Sequence, residues 1–137
     1  MTRLLSGVAM ATVALAAIWF LPSNALQVVA ALVAGVGARE LLAILRSPGP
    51  APAPWLLVLL TVGASLAMGD VAAHYDLVVL GGLAAMLIEV LARGNTLPVA
   101  SAVVGGAIWV GVPLGLLARV HDLGGPKAVL LLLGTVV

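Results

Sequence analysis

Glu89 has the most scope for chemistry in this sequence. It alone interrupts the apolar run 77–91, and Arg93 follows four positions later, on the same helical face. A carboxylate at the centre of a bilayer costs several kcal/mol, so an acid placed there is either paired or functional. Two chemistries fit: an interfacial ion pair with Arg93, or an intramembrane acid that relays a proton or meets a headgroup. Arg39 and Arg46 flank the segment Glu40-Leu41-Leu42-Ala43-Ile44-Leu45. Arginines near a helix C-terminus suit the anionic headgroup zone, as anchors or as headgroup contacts, and Arg39, Arg46 and Arg93 are the headgroup candidates.

Catalysis would need converging carboxylates, a nucleophile with its base, or a phosphate cradle. The five acids are spread over four places, Ser6, Ser65 and Ser101 are embedded in apolar runs, and no Gly-rich loop ends in Lys-Ser or Lys-Thr. His74 and His121 cannot make a metal site without carboxylate help. With no cysteine, disulfides, thiolate zinc sites and cysteine nucleophiles are excluded. No catalytic residue and no metal-ligand set is read from the residues themselves.

The elements that must position these groups are set by composition. The chain is 64% hydrophobic and 8% charged, against roughly 25% charged in an ordinary soluble domain, so its solvent is lipid. A net charge of +1 is too balanced for a nucleic-acid partner. The expected fold is all-α, a polytopic transmembrane helix bundle with five complete spans and the start of a sixth. The spans fall at about 4–21, 24–45, 55–73, 77–91, 98–118 and 128–137.

Arg3 before the first run resembles the start of a signal peptide, but the run exceeds the usual ~7–15 residues and is expected to stay as a span. Pro22-Ser23-Asn24 forms a turn in which Asn24 is expected to cap the second helix. Four alternate prolines make 47–54 a linker, and Trp55 opens the third span at the interface. Asp70, His74 and Asp76 form a polar turn; Gly94-Asn95-Thr96 breaks the chain before Pro98.

In the fifth span Gly111 and Gly115 share one face, which suits ordinary bundle packing or a homodimer, and Pro113 predicts a kink. A polar corner is expected over 119–127. The run 128–137 covers only about 15 Å, half of a ~30 Å hydrocarbon core, and is expected to be a severed span. With the N-terminus cytoplasmic, Arg3, Arg39, Arg46 and Arg93 lie inside and Arg119 and Lys127 outside, the orientation that basic residues prefer.

The order of three segments resembles the N-terminal half of bacterial phosphatidate cytidylyltransferases, or CDP-diacylglycerol synthases. They are Thr2-Arg3-Leu4-Leu5-Ser6-Gly7, Arg39-Glu40-Leu41, and Val110-Gly111-Val112-Pro113-Leu114-Gly115 followed by the run 130–137. The resemblance implies a multi-pass protein of the bacterial inner membrane that takes part in phospholipid biosynthesis. The implied reaction is attack of the phosphatidate phosphate on the α-phosphorus of CTP, releasing pyrophosphate, with Mg2+ neutralising phosphate charge.

The family's signature of Asp-x-x-Ala-Tyr, Ser-x-x-Lys-Thr-x-Glu-Gly, Asp-x-x-Lys-Arg and Lys-Asp is not among these residues. The chain by itself is therefore expected to supply scaffold and to turn nothing over, the Mg2+ ligands lying outside it. The competing expectation is a small transporter-like or accessory membrane protein, complete as it stands, with Glu89 as its coupling acid.

Overall fold

The computed structural model describes residues 2–44, 52–69 and 74–136. They form α1 (Thr2–Phe20), α2 (Ser23–Ile44), α3 (Pro54–Gly69), α4 (Tyr75–Leu87), a π-helical turn (Ile88–Ala92) continuing α4, and α5 (Leu97–Val136). Among the described residues there is no strand. An apolar chain of this kind must satisfy its backbone within each segment, and helices do so. Arg46, Asp70 and linker residues 47–51 lie outside the described residues.

Among the described residues three helices are long and apolar enough to cross a membrane: Ser23–Ile44, Tyr75–Ala92 and Leu97–Thr135. This is fewer than the five complete spans and a sixth expected above. The apolar helix Pro54–Gly69 has 16 residues, about 24 Å, which falls short of a ~30 Å core. The N-terminal apolar stretch meeting the same test of composition is the shorter Ala11–Phe20. The stretches taken as fifth and sixth spans belong to one helical element, interrupted at Gly125.

Boundaries shift for local reasons. α2 starts at Ser23, and the Pro22 carbonyl accepts the Leu26 amide at 3.0 Å, so Pro22 takes the cap position and Asn24 lies inside the helix. Helical geometry in α5 persists past residue 118 through the expected polar corner and fails only at Gly125, whose φ of 67° and ψ of −173° precede Pro126. There the chain turns back. Val129 is buried against Ile18 and Leu26, with Leu117, Val120 and Leu133 packed around it. The arm 126–136 thus lies alongside the end of the arm 97–124.

α3 is the hub. Leu57 packs with Ala38 and Leu42 of α2 and with Val103 and Ala107 of α5. On its other sides Leu56 meets Ala85, and Ala64 and Met68 meet Val78. Gly111 and Gly115 supply the closest approach: a Cβ at Gly111 would overlap the Thr61 carbonyl oxygen, and one at Gly115 would overlap that of Ser65. The face considered for a homodimer is therefore covered by α3 of the same chain. Small residues bring membrane helices together because van der Waals fit, with little hydrophobic drive, holds them.

Candidate functional site

Glu89 is fully buried in the π-helical turn, beside the start of α3. Its Oε1 accepts the Ala53 amide at 2.7 Å, and its Oε2 accepts the Asn95 side-chain amide. Arg93 Nε lies 3.6 Å from Oε2, which places the expected i, i+4 ion pair in the structure with Glu89 buried and Arg93 partly exposed. The local sequence explains the cage. Gly94 adopts φ 66°, as helix-ending glycines do, and the Asn95 amide reaches back to the Glu89 carbonyl at 2.9 Å. That closure is one residue wider than a Schellman turn, in keeping with the π-helical winding that aims Glu89 inward.

Ala53 precedes Pro54 and its carbonyl accepts the Leu57 amide at 3.2 Å, so Ala53 is the N-cap residue of α3. Glu89 thus does from another helix what the acidic residue of a capping box does from its own: it binds the cap residue's amide and sits at the positive end of the helix dipole. Asn95 Oδ1 is buried with no partner among the described residues. Ala53 and Asn95 were not legible as site residues; Gly94-Asn95 signalled only a helix stop.

Among the described residues no three of His, Asp and Glu come together. The implied Mg2+ does not fit here, because Glu89 faces two N–H donors and a guanidinium, whereas Mg2+ requires convergent oxygens.

Arg39 is set apart from this cage. It lines an open groove of about 900 Å³ between α2 and α3, whose other lining residues are apolar or glycine. Arg39, Pro54 and Trp55 form one end of the groove; Val28 and Leu66 form the other. Arg39 and Arg93 are both exposed, Arg39 within α2 and Arg93 at the cap that follows the π-helical turn.

His121, given no role by its spacing, is buried at the opposite end of the bundle. Its Nε2 donates to the Ile18 carbonyl at 2.9 Å, and its Nδ1 is 3.4 Å from Ser23 Oγ. It ties the end of α1 and the start of α2 to α5. No local pattern announces contacts across 103 and 98 residues. Against protein-family models, curated proteins and solved structures, the chain has no match.

Proposed function

We propose that this chain is the membrane portion of a phosphatidate cytidylyltransferase, an enzyme that makes CDP-diacylglycerol and pyrophosphate from CTP and phosphatidate. In this reading it crosses the bacterial inner membrane several times, more often than the three long helices alone require, with its N-terminus cytoplasmic. One observation supports the proposal: each of two segments that bear the resemblance packs against a residue just before the other. A Cβ on Gly106 would overlap Leu41 of the Arg39-Glu40-Leu41 segment, and Val110 Cγ1 lies 3.1 Å from the Cβ position of Gly37. Pieces about seventy residues apart in an unremarkable apolar sequence thus form a single joint between α2 and α5. The family's metal- and CTP-binding signature is not among these residues, so the chain's own contribution is to embed and orient the lipid.

The test is an assay of membranes carrying the protein as its gene encodes it, supplied with CTP, Mg2+ and phosphatidate. CDP-diacylglycerol and pyrophosphate are expected. Their absence, with the protein shown to be inserted and folded, overturns the reading.

Burial of Glu89 inside an apolar helix favours a second reading, a small transporter-like protein using that acid. Its donors weigh on the other side, since an acid already engaged by the Ala53 amide, Asn95 and Arg93 is placed to hold helices together. Proton flux in proteoliposomes that Glu89→Gln abolishes, without loss of fold, selects the second reading.

A further inference from the structure

From the groove between α2 and α3 we infer a binding site for one phosphatidate molecule, its phosphate on Arg39 and an acyl chain along the groove. The inference rests on the enzymatic reading for the identity of the lipid; the geometry argues the rest.

Charge is the first argument. Among the described residues that line the groove Arg39 is the one charged side chain, and none of them is a carboxylate. No ion pair engages Arg39 among the described residues. Among the described residues, two smaller clefts of the bundle, of about 320 and 270 Å³, are lined by no charged side chain. An arginine guanidinium presents parallel N–H donors that match two phosphate oxygens.

Length is the second argument. α2 and α3 run antiparallel here, so Arg39, Pro54 and Trp55 share one end while Val28 and Leu66 share the other. Eleven residues separate Val28 from Arg39, a rise of about 16 Å along the helix. That is close to half of a ~30 Å hydrocarbon core, the depth of one leaflet. A lipid whose headgroup meets Arg39 therefore lays its chain along the groove floor, at Ala31, Gly35 and Val62. A Cβ at Gly35 would meet Val62 at 3.4 Å, an ordinary contact, so α2 and α3 lie close along this floor.

Trp55 is the third. It is 55% exposed at the start of α3, on the same end as Arg39. Tryptophan favours the headgroup level of a bilayer, which sets the depth of the groove's mouth independently of Arg39.

Binding is tested on the 137-residue chain in detergent micelles by native mass spectrometry. The ligands are dioleoyl phosphatidate, dioleoyl phosphatidylcholine and, as a headgroup without chains, glycerol 3-phosphate. One phosphatidate is expected per chain, bound in preference to phosphatidylcholine and not displaced by glycerol 3-phosphate. Arg39→Gln should weaken retention about tenfold, as for loss of a charged hydrogen bond.

Val36→Trp should also weaken retention by filling the groove from a position that is 59% exposed, where a larger side chain leaves the helix contacts intact. Arg119→Gln, at the other end of the bundle, should change nothing. Equal retention of phosphatidylcholine, displacement by glycerol 3-phosphate, or an unchanged Arg39→Gln overturns the proposal. The assay involves no turnover, so its failure alongside CDP-diacylglycerol synthesis removes only the groove. Selective retention without synthesis removes only the enzymatic reading.

Discussion

Glu89 and Ala53 stand 36 residues apart in the chain, yet the Glu89 carboxylate accepts the Ala53 amide at 2.7 Å. Helix α3, at the centre of the bundle, thereby receives its N-terminal cap from the far end of α4. The start of α3 also forms the mouth of the groove, through Pro54 and Trp55. The buried acid thus positions the mouth of the candidate lipid site without touching its occupant.

Glu89→Ala should destabilise the bundle by about 2–4 kcal/mol, because it leaves the buried Ala53 amide and the Asn95 side-chain amide without their acceptor. Glu89→Gln keeps an oxygen for Ala53 but turns an NH2 group toward that of Asn95, and should cost about 1–3 kcal/mol. Unfolding by SDS titration in mixed micelles measures both. A Glu89→Ala protein as stable as the parent would remove the capping role.

Two glycines in α5 give opposite expectations. Gly111→Ala puts a methyl into the Thr61 carbonyl and should destabilise by about 1–3 kcal/mol through separation of α3 from α5. Gly105 has open space where its Cβ would be, so Gly105→Ala should be neutral or stabilising by up to about 1 kcal/mol. The same SDS titration ranks them, and equal effects at the two positions would contradict the packing described.

His121→Ala leaves the Ile18 carbonyl, one of the last acceptors of α1, without its side-chain donor. The expected loss is about 1–2 kcal/mol, concentrated at one end of the bundle. Hydrogen exchange should quicken over residues 17–23 and stay unchanged around Ala53 and Glu89. Uniform quickening across α3 would show that His121 does not act locally.

Trp55 and Trp109 should report different depths. Trp55 lies one residue inside the start of α3, and Trp109 lies 12 residues into α5, about 18 Å from its start. Both side chains are exposed. In single-tryptophan variants, lipids brominated near the headgroup should quench Trp55 more strongly, and lipids brominated near the chain end should quench Trp109 more strongly. Identical depth profiles would be incompatible with a membrane-crossing α5.

Much of the architecture was legible one segment at a time, because apolarity and punctuation are local. The helical class, the break at Gly94, the stop of α1 before Pro22 and the i, i+4 pairing of Glu89 with Arg93 each depend on a few neighbouring residues. Lengths were less legible. An apolar run does not state where its last turn ends, so α5 was expected to stop at 118 although its geometry carries through to Gly125. The 16 residues of α3 fell below what a long span needs.

Partner choice belonged to the tertiary structure alone. Gly111 and Gly115 declared a face fit for close approach, but any helix could have filled it, and only the packed bundle assigned it to α3. Glu89 was marked as an acid needing company, and Arg93 could be named from spacing. The Ala53 amide could not, since a backbone donor carries no side-chain signature and is freed only where a helix happens to begin. Arg39 could likewise be read as interfacial, while the groove it heads exists only because α2 and α3 lie side by side with small residues between them. Local sequence determines which surfaces want a neighbour, and van der Waals fit among all the helices decides which neighbour each receives.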